Sequence, residues 1–463
     1  MTIKFVNRMD ELEFLSKEHK KEGFRFLSVI GRRRVGKTAL MERFMSGKKA
    51  LYVFVPDIDD KELRMIFAKS LNEKFELNFV GEPPWDELFD RMLGIQERVI
   101  IVIDEFQRFL TINKSVPSIL QKQIDSHHKK SGVFLVVMGS SIGMMHKLFE
   151  YSAPLYGRRT GQIDLEPLKF RHLFQWFPSV PADKLVEIYA VFGGTPKYLL
   201  EAGVDVAKCI EASILSKRGA LYNEPDMLIR TELPNPATYF NIMKLIAQGR
   251  TKSNEIADMI SIKPTSLSYF LSVLEKEMGL IKRENPVTEL KPQSKKTLYF
   301  INDNFFNFWF RFVYSNMSYL EIDNSKPVVE SVKNNFPAFI GKAFEGICMD
   351  FLIEANANGR LPFSATNIGR WWNKQDEIDI IAFNKKTKEM LFCECKWKAG
   401  VKPGAVIDDL RKKSERVELF KKSRKSYYVV FAKSFSKKFK ENDVMLLDIR
   451  DMKRHFTKTA VSK

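Results

Sequence analysis

The most specific chemistry in this 463-residue chain lies in eight residues, Gly31-Arg32-Arg33-Arg34-Val35-Gly36-Lys37-Thr38. They match the spacing G-x-x-x-x-G-K-[ST] at every fixed position. A loop of this kind wraps phosphates in backbone N–H groups and aims a helix N-terminus at them. Lys37 would reach the β- and γ-phosphates, Thr38 would ligate Mg²⁺, and Ala39 begins the helix that follows. Farther on, the five β-branched residues 99–103 mark a strand buried on both faces, and it ends on Asp104 and Glu105. Asp104 would hold the Mg²⁺ shell through water, and Glu105 would polarise the attacking water. Two acids at a strand end can also merely cap a helix; here the upstream loop favours the chemical role. Ser140 or Ser141, closing the apolar run 133–138, would stand beside the γ-phosphate, although Gly139-Ser140-Ser141 equally suits a plain turn. Arg158 or Arg159 would neutralise charge on the γ-phosphate, in cis or in trans, unless they are ordinary surface arginines.

A second constellation lies near the C-terminus. Residues 377–383 and 390–397 alternate as two strands joined by a charged turn. If they pair, Asp379, Glu394 and Lys396 share one sheet face. Two carboxylates can hold a hard divalent ion, and a lysine can orient water or steady a transition-state phosphate. Together these groups suit metal-assisted hydrolysis of a phosphodiester. Glu345, set among apolar residues of a helix, would add a third acid. Alternating charge on an exposed strand offers a plainer account, but the apolar opposite face argues against it. Cys393 and Cys395 lack the second Cys/His pair of a metal site, and His127 and His128 have no partner signature.

These groups need elements to position them. The pattern predicts an α/β architecture: a phosphate-loop parallel sheet over residues 1–165, a helical lid over 166–235, a winged helix-turn-helix over 236–301, aromatic-rich connecting helices over 302–340, and a C-terminal α/β domain over 341–463. In the lid, Gly193-Gly194-Thr195-Pro196 breaks one helix and starts the next, and brings Lys197 toward the phosphates. In 236–301, three short helices precede two strands. Some small polar residues of the third helix would face outward, as a helix in the major groove would need; the same fold also serves protein packing.

Composition bounds the function. Hydrophobic residues make up 44% and charged residues 29%, as in a folded globular protein. No apolar run approaches the ~18 residues of a membrane helix, and the first fifteen residues do not read as a signal peptide. Four scattered cysteines point to a reducing cytoplasm. Net charge is +18, and from Lys396 onward 20 Lys and Arg stand against 8 Asp and Glu. A polyanion, DNA above all, is the expected partner.

With these pieces in place, the chain resembles the archaeal-type P-loop ATPases, relatives of the AAA+ and STAND groups, over nearly its full length. The likeness rests on Phe5-Val6-Asn7-Arg8 with Glu11-Leu12, the phosphate loop, Val102-Ile103-Asp104-Glu105, Leu155-Tyr156-Gly157-Arg158, Gly193-Gly194-Thr195-Pro196, and Tyr299-Phe300-Ile301-Asn302-Asp303 with Phe308-Trp309. It implies ATP and Mg²⁺ as cofactors, adenine contacts near Asn7 and Arg8, a winged helix, and a C-terminal domain similar to PD-(D/E)xK nucleases, of restriction-endonuclease-like α/β fold. That nuclease pattern maps onto Asp379, Glu394 and Lys396, with Ile378 in place of the usual proline. The expected protein is an ATP-hydrolysing, DNA-associated one with a metal-dependent nuclease-like module, with a homo-oligomer among its expected forms. A STAND-like switch, or a nucleotide-gated transcriptional regulator reading sequence through Ser266 and Ser268, is the alternative.

Overall fold

The computed structural model describes residues 5–289, 294 and 296–461. The chain separates into two compact units. The first holds the described residues to Pro167, together with Thr195–Lys197 and Ser272–Gly279; the second holds Leu168–Gly194, Tyr198–Leu271 and the rest from Leu280.

The first unit is built on five parallel strands: β1 (Arg25–Ile30), β2 (Ala50–Phe54), β3 (Val99–Asp104), β4 (Val133–Gly139) and β5 (Gly161–Asp164), in the order β2-β3-β4-β1-β5. Continuous apolar sequence makes β3 and β4 central, and every residue of both is buried. Helices cover the two faces. One face carries Phe67, Trp85, Phe89 and Phe109 from the helices that follow β2 and β3, and the other carries Leu15, Leu40, Met41 and Phe44. β4 stands between the strand that feeds the phosphate loop and the strand that ends on Asp104. Residues that follow β4 therefore lie between the two halves of the site.

The second unit contains three helices, Pro236–Ala247, Ser253–Met259 and Pro264–Ser272, and an antiparallel hairpin of β6 (Ile281–Glu284) and β7 (Leu298–Ile301). Phe305, Phe306, Phe308, Trp309 and Phe310 are almost fully buried; the Trp309 indole donates to the Tyr222 carbonyl at 2.6 Å. These aromatics are packing residues. A single helix, Lys326–Ala357, runs through the point where the sequence suggests a boundary near residue 340, with Pro337 inside it. Beyond it lies a mixed sheet of β8 (Asn367–Trp372), β9 (Glu377–Phe383), β10 (Glu389–Lys396), β11 (Lys425–Ala432) and β12 (Val444–Asp448), in the order β12-β11-β10-β9-β8. β8, β9 and β10 pair antiparallel, whereas β10, β11 and β12 are parallel. No helix among the described residues is long and apolar enough to cross a membrane.

Candidate functional site

The phosphate loop leaves β1 at Gly31, and a side chain there has no room: a Cβ would stand 2.6 Å from the Leu165 carbonyl. Arg34 and Gly36 both adopt positive φ, 70° and 99°, which curls the loop's N–H groups inward. The helix Lys37–Met45 begins at Gly36, which has no side chain to cap it. The N–H groups of such a helix start are suited to an anion. Lys37 is buried, and its ammonium donates to the carbonyls of Gly31 (2.7 Å) and Arg32 (3.2 Å). This loop, helix end and buried lysine are the cradle that a nucleotide triphosphate requires.

Arg8 supports the loop from outside. It and Asn7 are consecutive left-handed residues, φ 73° and 62°, a costly conformation for non-glycine residues. The turn buries the Arg8 guanidinium, which donates to the carbonyls of Val35 (3.1 Å) and Glu166 (2.7 Å) and pairs with Glu11 (3.0 Å). The resemblance implies adenine contacts near Asn7 and Arg8. What the structure displays is Arg8 engaged with the phosphate loop itself.

Opposite the loop, Asp104 accepts a hydrogen bond from the Tyr52 hydroxyl and Thr38 is a further partner of that phenol. Burial pushes the Asp104 carboxyl upward and the charge of Glu105 adds to it, while Tyr52 and Lys37 oppose the shift. Burial and the same carboxylate push the Tyr52 phenol upward too. Glu105 has φ 56°, turning its side chain back toward β4. There its Oε2 accepts from Ser140 Oγ (2.9 Å) and from Gln107 Nε2 (2.5 Å). Of the two serines the sequence leaves open, Ser140 is the one that reaches the acid. Arg158 is elsewhere engaged, bidentate on Asp125 at 3.2 and 3.0 Å. Arg159 bonds Ser28 and Gln162 and lies 4.0 Å over the Phe149 ring. Pro196 stands 3.9 Å from a Cβ built on Gly36, so it abuts the loop, with Lys197 exposed. His127 pairs with Asp90 at 2.8 Å, a surface contact.

In the second unit, the pairing of Phe392 with Ile381 brings Glu394 alongside Asp379. Asp379 is half-buried, and its Oδ2 accepts from the Cys395 amide at 2.7 Å. Burial pushes its pKa up to about 8, reinforced by Cys395, Glu345 and Glu394. Lys396 donates to Glu394 Oε1 at 2.6 Å, and Lys413 lies 3.6 Å from Oε2. Glu345, from the long helix, meets Glu377 and Asp379 with ligand oxygens all within 4.8 Å of one another. Among the described residues, Glu345, Glu377 and Asp379 form an acid group able to hold a cation. Glu394 beside them is paired with two lysines, and Glu377 joins the acids that the sequence singles out. Cys393 and Cys395 are buried with sulfurs 3.9 Å apart.

An uncharacterized protein of Methanocaldococcus jannaschii, MJECL04, is 34% identical over 452 residues, which cover 96% of this chain and 99% of that one. The chain belongs to its family. Residues 5–202 match a family described as an ATPase domain predominantly from Archaea, and residues 309–417 one described as archaeal and bacterial proteins of unknown function. The protein is an ATPase. An uncharacterized ATP-binding protein of the same organism, MJ0423, is 45% identical over 47 residues, 10% of this chain and 80% of that one. The solved structure of the Walker-type ATPase PABY2304 of Pyrococcus abyssi covers 66% of this chain and 96% of its own at a TM-score of 0.50 and 19% identity, a likeness of fold.

Three residues of this ATPase escape motif reading. Tyr52 sits in a strand with no motif, and only the adjacency of β2 and β3 brings it to Asp104. Gln107 and Glu377 carried a weak signal, each lying two residues from an acid already singled out.

Proposed function

We propose that this ATPase binds DNA and carries a metal-dependent nuclease-like module whose engagement is controlled by ATP turnover. The observation that carries the reading is the cluster of Glu345, Glu377, Asp379, Glu394 and Lys396 at the β9–β10 pair of the mixed sheet. A sheet with a helix-borne acid, three strand acids and a lysine suits the PD-(D/E)xK pattern. Such a site would hydrolyse phosphodiesters with Mg²⁺ or Mn²⁺ bound by the carboxylates.

In the ATPase, Lys37 and the loop N–H groups bind and orient the triphosphate. Thr38 and Asp104 would hold Mg²⁺, which would supply positive charge against the phosphates. Glu105 orients the attacking water, with Ser140 and Gln107 fixing its carboxylate. Arg8 keeps Val35, and so the loop, in register. Arg158 can act on the γ-phosphate only after leaving Asp125.

DNA binding rests on the three helices and hairpin, which we assign as a winged helix. On Pro264–Ser272 the apolar Leu267 and Leu271 are buried, while Thr265, Ser266, Ser268 and Tyr269 are exposed, as a groove-reading helix requires. The basic C-terminal stretch adds phosphate contacts. Duplex affinity measured over a salt series tests this. Log affinity should fall linearly with log salt. Salt-independent or absent binding, together with ATP-dependent self-assembly, would replace it with the switch reading.

A further inference from the structure

Arg370, in β8, lies among the carboxylates of the C-terminal acidic group. Its guanidinium pairs with Glu377, stands 3.6 Å from Glu345, and is mostly buried. The same guanidinium reaches the β6–β7 hairpin: it stands 3.6 Å from Glu284 and stacks over the Phe300 ring at 4.8 Å. The backbone repeats the link. The Val287 amide donates to the Arg370 carbonyl at 2.8 Å, the Trp372 indole donates to the Lys296 carbonyl at 3.2 Å, and a Cβ on Gly369 would meet Val287 at 3.1 Å. The Arg370 Nε, though buried, has no hydrogen-bond partner among the described residues. Lys342 is a further cation at the group, 2.6 Å from Glu345 and 3.9 Å from Glu377.

We propose that Arg370 is the resident cation of the Glu345–Glu377–Asp379 group, held there by the β6–β7 hairpin, and that a divalent metal loads only when the hairpin lets Arg370 go. This rests on the metal-site reading above. A guanidinium cannot surrender its charge by losing a proton, and a hard divalent ion needs the same carboxylate oxygens. The two cations therefore compete. Because Glu284, Phe300 and Val287 hold Arg370 from the other side, hairpin position and metal affinity are linked, and each must weaken the other equally. A nucleic acid that engages the hairpin would then favour metal entry at the neighbouring acids.

The test is Mn²⁺ binding to the full chain without nucleotide, followed by electron paramagnetic resonance, with Asp379→Asn defining the signal from this site. Arg370→Gln removes the competing cation, and Phe300→Ala removes the ring beneath it while leaving every carboxylate. Both should tighten Asp379-dependent Mn²⁺ binding by about tenfold or more. In the wild type, Mn²⁺ should also speed hydrogen exchange at the Val287 amide, and should not do so in Asp379→Asn. A merely structural arginine would not produce that exchange response. Asp379-dependent binding of equal strength in all three proteins, with Val287 exchange unmoved, overturns the proposal and leaves the metal site standing. Absence of Asp379-dependent binding in every protein overturns both. If Arg370→Gln does not fold, Phe300→Ala and the exchange measurement decide.

Discussion

Lys37 and Glu105 act at opposite ends of the same reaction, so their removal should be distinguishable. Lys37→Ala deletes a charge that binds the triphosphate, and should weaken nucleotide affinity as well as turnover, with kcat/KM down about 10²–10³-fold. Glu105→Gln keeps the size and the contacts to Ser140 and Gln107 but loses the carboxylate charge. It should lower kcat by about 10²-fold or more with nucleotide affinity nearly unchanged. Steady-state hydrolysis beside equilibrium nucleotide binding separates the two. Tyr52→Phe removes the hydroxyl on Asp104 and Thr38, a hydrogen bond to a charged group worth about 1.5–3 kcal/mol. The Mg²⁺ concentration needed for half-maximal fluorescent-ADP binding should shift by about tenfold; an unchanged Mg²⁺ midpoint would remove Tyr52 from the site. This residue marks the limit of sequence reading. The phosphate loop was legible because its function is written in local spacing, and Asp104 because a run of β-branched residues points at it. Tyr52 was not, because its role comes from strand order. Arg370 was hidden for the same reason, lying in a polar stretch that gave no strand signal.

Elements show a similar division. The strands that flank the loop follow from apolar runs bounded by turn residues, and β9 and β10 from alternation around a charged turn. β8, β11 and β12 passed unread, as did the helix Trp85–Leu93. The long helix Lys326–Ala357 crosses the boundary that the sequence suggests near residue 340, continuing through Pro337 to carry Glu345 and the buried Cys348. Close backbone approach was legible only as a motif glycine. At Gly31, the Leu165 carbonyl 2.6 Å from a Cβ means that Gly31→Ala must push β5 away from the loop. Such overpacking costs about 1–3 kcal/mol. Urea unfolding of the variant should therefore show a lowered midpoint, together with reduced ATP affinity. An unperturbed midpoint would mean that the loop yields freely.

At the scale of the whole chain, charge distribution matters more than its total. Burial would raise the Asp448 carboxyl, but Arg450 and Lys438, each 3.1 Å away, outweigh it and bring its pKa down to about 2. An unfolded aspartate titrates near about 3.9. The folded form thus binds fewer protons between these values. The stability this provides is present above about pH 4 and is lost as the pH falls toward 2. Lys438→Ala should raise the pH at which the second unit unfolds in acid, read by near-ultraviolet circular dichroism.

Cleavage of plasmid and branched DNA in Mg²⁺ or Mn²⁺, with and without ATP, tests the central claim most directly. Wild type would be compared with Asp379→Ala and Lys37→Ala. The account predicts metal-dependent cleavage that disappears in Asp379→Ala and changes its response to ATP in Lys37→Ala. ATP hydrolysis without cleavage of any of these substrates, or cleavage that survives Asp379→Ala, would contradict it.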